Sequence, residues 1–322
     1  MNRRDKKESS ECDNSRRQFL KGMLAASAVA ATSLVVPTRS FALDAADPKQ
    51  VLYSPRGVAV YPDGSVFVAD AGNYCIHRFA ADGSYTTFGE PGSGPGQLNY
   101  PCDIALAGDR LLVLDSNNGR IQILDAETGV YKGAFGSLGG AANKLFTPEG
   151  ISHKNGITLV ANTRGHCVQF WDISAGKVDF AVGMFGDEPT PPAPGAQDLR
   201  FRLPTAAVLD DQGEKLYIAD SKHNRVVITD RQGQFVSQID NASGKLNRPS
   251  ALAFGGGLLY VCDYGNKRVL RVDPSNGATD ILSGQWREPI GLDIAGSVLA
   301  VSDGVEKKLF RVPIASTEQE GA

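Results

Sequence analysis

The chain reads as an all-β, six-bladed β-propeller, and three observations predict it. One short pattern recurs six times, beginning at Pro55, Pro101, Pro148, Pro204, Pro249 and Pro289: a proline, a small-apolar run, then an apolar strand ending in a carboxylate or amide. The prolines lie 46, 47, 56, 45 and 40 residues apart, room for three or four short strands per copy. Sheets of that size cannot bury both faces alone, so the copies must stack, and a ring leaves only short, protected edges. The inner strand carries the third sign. Three residues past each proline stand Val58, Ile104, Ile151, Ala207, Leu252 and Leu292, while two past it stand Gly57, Asp103, Gly150, Ala206, Ala251 and Gly291. Alternation sets these on opposite faces, one filled by larger side chains and one kept small against a crowded axis.

Each copy supplies an inner strand a, then b, c and an outer strand d. Copy one runs PRGVAVYPDGSVFVADAGNYCIHRF from Pro55, and copies two to five follow the same order. Copy six lacks strand d, because only PIASTEQEGA follows Val312. The apolar stretch Lys49–Tyr53 is therefore expected to close the ring as the outer strand of blade six.

Copy one carries Pro55, Gly57, Val58, Ala59, Val60, Asp70, Asn73, Ile76, Phe79, Phe88 and Gly89. This set resembles the NHL repeat family, whose unit runs Pro-x-Gly-Val-Ala-Val, a strand ending in Asp, Asn-x-Arg-Ile, and a last strand near Phe-Gly. The resemblance spans nearly all of the chain beyond residue 42 and implies a six-bladed NHL-type propeller. It implies no one activity, since propellers host many.

Residues 1–42 read as an export signal and 43–322 as the propeller. Ser15-Arg16-Arg17-Gln18-Phe19-Leu20-Lys21 resembles the twin-arginine motif, with Arg16 and Arg17 at its centre, followed by an apolar run from Met23 to Val36 and the exit Ser40-Phe41-Ala42. That run is shorter than the ~20 residues of a comfortable span, so cleavage after Ala42 and a periplasmic location are expected, with the Tat translocase as partner during export. Beyond Ala42 remain 25 basic and 32 acidic side chains, a net charge of −7. Nucleic acid, which needs a basic surface, is not an expected partner. Cys75, Cys102, Cys167 and Cys262 fall on different copies with no Cys-x-x-Cys pair, which excludes haem attachment and a zinc ribbon.

The recurrent acids Asp70, Asp115, Asp220, Asp263 and Asp303 look like a ligand set. Arg120, Arg225, Arg268 and Lys308 follow four of them by five residues, which points instead to turn hydrogen bonds and a charge partner. Copy one has Cys75 at that position, leaving Asp70 short of a partner. Acids at positions where the repeat wants Gly or Ala are more telling. Asp103 and Asp293 flank copy one, whose first strand carries Arg56, so an Asp103, Arg56, Asp293 cluster near the channel is expected, as a staple or a ligand site.

The candidate binding face is the rim shared by the starts of the inner strands and the b to c turns: Arg56, Cys102, Asp103, Glu149, Arg164, Lys222, His223, Tyr264 and Asp293. Residues 186–200, rich in proline, are expected to form a stiff flap beside it. No cofactor is predicted. Calcium would need more oxygens than Asp103 and Glu149 offer, and His77, His153, His166 and His223 are not expected to converge on one zinc. No nucleophile elbow or phosphate loop is present. The leading expectation is an exported module that binds a protein, peptide or small polar ligand through this rim. The alternative is a channel lyase or lactonase, either peptidyl-hydroxyglycine lyase-like or gluconolactonase-like.

Overall fold

The computed structural model describes residues 51–187 and 192–314. Blade one is Pro55–Val60, Val66–Asp70, Cys75–Phe79 and Tyr85–Phe88, hydrogen-bonded in that order. Blade two is Pro101–Ala107, Arg110–Asp115, Arg120–Asp125 and Tyr131–Phe135. Blade three is Gly150–Lys154, Ile157–Asn162, Cys167–Asp172 and Lys177–Val182. Blade four is Pro204–Leu209, Lys215–Asp220, Arg225–Asp230 and Phe235–Ile239. Blade five is Pro249–Gly255, Leu258–Asp263, Arg268–Val272 and Thr279–Ile281. Among the described residues blade six has three strands, Pro289–Ala295, Val298–Asp303 and Lys308–Pro313.

The core is divided among the seams. Each of six apolar clusters joins two neighbouring blades, such as Phe170, Phe180 and Val168 of blade three against Leu209, Ile218 and Phe235 of blade four. Strand b, covered on both sides, is a continuous apolar run rather than an alternating one, as VFVAD and ITLVAN show by being buried throughout. Among the described residues, the seam between blades six and one holds seven buried apolar residues against fourteen between blades three and four.

Strand b ends in every blade at a fully buried latch. Asp70 accepts the amides of Tyr53, Ser54 and Asn73 at 2.8, 2.9 and 3.2 Å. Asp115 accepts Asn99 N, Asp220 accepts Arg202 N and Asp263 accepts Asn247 N, all within 2.8 Å. Asp303 takes four amides, from Arg287, Glu288, Val305 and Glu306. Asn162 does the same work without charge, accepting Phe146 N and donating to Lys144 O. One side chain thus ties the b to c turn to the crossover that enters its own blade. The latch holds the residue before strand c in the left-handed region, at φ between 53° and 61° for Tyr74, Gly119, His166, Asn224, Lys267 and Lys307. Only one of these is glycine, so five non-glycine residues bear roughly 1 kcal/mol of strain each.

The bases expected five residues on are present in part. Arg120, Arg225 and Arg268 donate Nε to Asp115, Asp220 and Asp263 at 2.7–2.9 Å. Asp303 is met by amides rather than by Lys308. Asp70 is not short of partners either: Asn73 Nδ2 donates at 2.9 Å and His77 Nε2 lies 3.6 Å away. Burial works against the charge on Asp70, yet His77 and the three amides outweigh it and hold its pKa below the ordinary value.

The closing strand expected over Lys49–Tyr53 is not seen. Lys49 and Gln50 lie outside the described residues, and Val51–Tyr53 join no sheet. The reason is the latch: Asp70 holds the amides of Tyr53 and Ser54, and Asn73 Nδ2 donates to Val51 O at 2.8 Å. These residues form the crossover into blade one, with Leu52 buried against Ala300 and Val58. Within the expected flap, residues 188–191 lie outside the described residues. The rest runs along the outer edge, where Met184–Phe185 pairs with Arg200–Phe201 and Gly195 and Ala196 bond Phe235.

Asp220→Ala would remove the carboxylate that balances the charge of the buried Arg225 guanidinium. We expect urea unfolding to report a loss of about 3–5 kcal/mol. Asp198→Ala, which removes an exposed pair with Arg200, should cost less than about 1 kcal/mol.

Candidate functional site: the axial channel and its mouth

The six inner strands surround a cavity of about 480 Å³. Their close approach depends on missing side chains. A Cβ on Gly57 would run into Asp103, one on Gly150 into Thr205 O, and one on Gly291 into Arg56 O. Hydroxyls then stitch one blade to the next. Ser116 Oγ donates to Pro148 O at 2.8 Å, Ser152 Oγ to Ala207 O at 2.7 Å, Thr205 Oγ1 to Pro249 O at 3.1 Å and Ser250 Oγ to Pro289 O at 3.2 Å. Ser302 Oγ carries the pattern from blade six to Arg56 O of blade one.

The two unusual acids extend this stitching. Asp103 accepts Ile104 N at 2.9 Å and, from blade three, Ile151 N at 2.8 Å. Asp293 accepts Val60 N of blade one at 2.8 Å. Neither bonds Arg56. The expected cluster is drawn out along the channel, with carboxylates satisfied by peptide N–H groups of the adjoining blade. Both side chains are only half-buried, since they border the cavity, but they sit deep on its axis. Burial pushes Asp103 up to about 7, opposed by its two amide bonds and reinforced by Asp293. Burial likewise pushes Asp293 up to about 6, against the amides of Val60 and Ile294 and the charge of Lys154.

Arg56 stands at the mouth. Its Nη1 donates to Tyr100 Oη at 3.1 Å and its Nη2 lies 3.7 Å from a Glu149 oxygen. Burial opposes its charge, but Cys102, Tyr100, Glu149 and Asp103 outweigh that and raise its pKa. Across the mouth, the Arg248 guanidinium lies 4.9 Å from the Tyr264 ring centre. Burial and Glu288 raise the Tyr264 phenol, with Arg248 and Arg56 opposing. Two guanidinium groups and two carboxylates therefore share this opening. At the other end Lys154 Nζ meets Asp211 at 2.5 Å and Phe254 O at 2.9 Å.

Of the residues singled out from the sequence, Arg56, Cys102, Asp103, Glu149, Tyr264 and Asp293 line the cavity. Arg164, Lys222 and His223 do not. Arg164 and Lys222 are exposed on their turns, and His223 turns outward to Asp220 Oδ2 at 2.8 Å and Asp187 O at 3.2 Å. The other histidines are dispersed as well: His77 with Cys75 and Thr87, His153 with Thr158, His166 beside Phe185. Sequence reasoning missed Tyr100, Arg248 and Lys154. Tyr100 and Arg248 each stand immediately before a repeat proline, at φ 59° and 53°, and that recurring place was their available signal. Burial pushes the Cys102 thiol up to about 12, with Arg56 and Ser116 opposing.

The NHL repeat family matches residues 52–79 and the twin-arginine translocation signal sequence matches residues 13–33. Peptidylglycine alpha-amidating monooxygenase of Rattus norvegicus is 42% identical over 85 residues, 23% of this chain and 8% of that protein. The chain spans only 8 to 19% of the length of the curated relatives it matches. Among solved structures, a catalytically inactive virginiamycin B lyase of Staphylococcus aureus with quinupristin superposes with a TM-score of 0.60 at 15% identity, covering 86% of this chain and 99% of the other. A gluconolactonase of Xanthomonas campestris superposes with a TM-score of 0.59 at 12% identity, covering 82% and 87%. At such identities these likenesses establish the fold alone. No described helix is long and apolar enough to cross a membrane, and the signal sequence directs the chain to the periplasm or beyond.

Because the Asp103 carboxyl is raised from 3.8 to about 7, the folded chain binds a proton there that the unfolded chain has released. Its stabilising contribution is complete below pH 4 and is lost as pH rises through 7. Asp103→Asn has no such proton to lose but keeps only one of the two amide bonds, so it should be less stable than the parent protein near pH 4, and that deficit should shrink by on the order of 2 kcal/mol at pH 8, the half-exposed carboxyl being partly screened, measured by urea unfolding at both values.

Proposed function

We propose that this exported NHL-repeat propeller is a binding module whose mouth, at the strand-a rim, captures a polar ligand or a peptide that carries both charge signs. The observation that carries this reading is the arrangement of Arg56 and Glu149 facing Arg248, Tyr264 and Glu288 over a 480 Å³ cavity. That volume falls in the range of small-molecule sites, and opposed charges on a low-dielectric wall suit a dipolar guest. The deeper polar groups support binding over chemistry, since Asp103 and Asp293 are engaged by backbone amides.

Triglycine with free termini, its N-acetyl form and its C-terminal amide make a direct probe set for isothermal titration. Triglycine should bind more tightly than either blocked form, and Arg56→Ala should weaken it by 10-fold or more, the worth of about 1.5–3 kcal/mol for a hydrogen bond to a charged group. Equal binding of all three, or an unchanged constant in the variant, would remove the rim reading.

One observation favours a second reading, a lyase or lactone hydrolase. A channel carboxyl raised to about 7, as Asp103 is, has the proton affinity suited to a general acid or base at neutral pH. Hydrolysis of glucono-lactone above the buffer rate, abolished in Asp103→Asn, would move the conclusion to that class.

A further inference from the structure

Exposed apolar side chains gather at one place on the outer rim. Met184 and Phe185, at the start of the crossover between blades three and four, are 48% and 51% exposed, and Phe146, in the crossover from blade two, is 38% exposed. Scattered singly they would mean little, but short contacts join them into one surface. Phe146 O accepts Arg164 N at 3.1 Å, Phe185 meets His166 edge-on with ring centres 4.8 Å apart, and His166 Nδ1 accepts Leu203 N at 3.2 Å. Lys222 N donates to Arg202 O at 3.1 Å, which brings the blade-four turn alongside. Phe146, Met184 and Phe185 thus stand among Arg164, Arg202 and Lys222, all six exposed. None of them lines the channel cavity.

Packing does not demand this composition. Met184–Phe185 pairs in parallel with Arg200–Phe201, and Phe201 is the buried member. Between blades one and two, Glu90–Pro91 pairs in the same way with Gln97–Leu98, and Leu98 is the buried member. The same place in the fold is filled there by a glutamate and a proline, and here by methionine and phenylalanine. Neither Met184 nor Phe185 belongs to the core of the seam beneath them. Aromatic side chains, methionine and arginine are the types enriched where proteins meet.

Charge selects the occupant. Arg202 has Asp187 at 3.5 Å, while Arg164 and Lys222 form no ion pair among the described residues. The chain beyond Ala42 is net acidic, at −7, and the turns on the opposite face expose Asp63, Asp82, Asp109, Glu127 and Glu214. An acidic partner is repelled by that face and attracted to this one, which orients its approach. A long polyanion would extend past the patch over the acidic body of the ring, which a short segment does not reach.

We propose that this patch docks an acidic segment of a partner protein, with an apolar side chain of that segment against Met184 and Phe185 and its carboxylates on Arg164, Arg202 and Lys222. The surface is separate from the mouth and does not depend on what the mouth binds.

Met184 is the one methionine beyond residue 42, so its methyl resonance reports on the patch by NMR in the methyl-labelled full chain, assigned with Met184→Leu. The probe is an N-acetylated, C-amidated peptide of alternating glutamate and phenylalanine, whose blocked ends set it apart from the free-ended ligand of the mouth. It should shift that resonance saturably, with a dissociation constant below about 1 mM. Phe185→Ser, and separately the pair Arg164→Glu with Lys222→Glu, should each weaken binding by roughly 10-fold or more. Both variants should melt with the parent protein, since the side chains are exposed, and Arg56→Ala should bind the probe unchanged. Peptides of glutamate with serine, or of lysine with phenylalanine, should leave Met184 unmoved. Absence of a saturable shift would overturn the proposal, as would an equal shift with the lysine peptide or undiminished binding by the charge-reversed pair. A Met184 shift that appears on concentrating the protein alone, or that single-stranded DNA or anionic vesicles produce more strongly, would also overturn it. The occupant would then be a second copy, a nucleic acid or a membrane.

Discussion

The buried carboxylate at the end of strand b is the contact on which the ring depends. It sits at the one point in a blade where three pieces of backbone meet: the turn into strand c, the crossover arriving from the previous blade, and the start of strand a. One to four amides aimed at one side chain satisfy donors that a tight rim would otherwise bury unpaired. An arginine then stabilises the charge where the sequence supplies one, and further amides do so in blade six. The same geometry survives neutralisation in blade three, where Asn162 both accepts and donates. What the position requires is an acceptor of fixed reach, with charge as a reinforcement.

Around the axis the rule is different. The inner strands come within contact of one another because glycine or alanine faces the crowded side, and hydroxyl and carboxyl groups of one blade then bond the backbone of the next. Asp103 fills the room left by Gly57. Groups that would read as a ligand cluster in a flat list are mostly engaged in joining blades, while the charged side chains at the mouth lie beside one another and beside tyrosine rings.

Much of the ring was legible in the sequence because its period is covalent: a proline and an apolar run every 40 to 56 residues dictate the blades. The structural use of the strand-b acids was legible as well, from the arginine five residues on. Side chains whose partners come from another blade were not. Asp103 and Asp293 were placed on the axis, but their partners are peptide amides, which sequence does not distinguish. Tyr100 and Arg248 were missed because a left-handed residue ahead of a proline runs against the usual backbone preference, so its side chain points where an extended strand would not send it. Val51–Tyr53 was read as strand because a short apolar stretch can equally be a strand or a crossover.

Among the described residues the four thiols, Cys75, Cys102, Cys167 and Cys262, are all buried and none forms a disulfide. Desolvation lifts Cys167 to about 11 and Cys75 and Cys102 to about 12, so almost no thiolate exists near neutrality. Burial thus keeps the four thiols of the described ring protonated, one on each of four blades and each shielded by the strands around it.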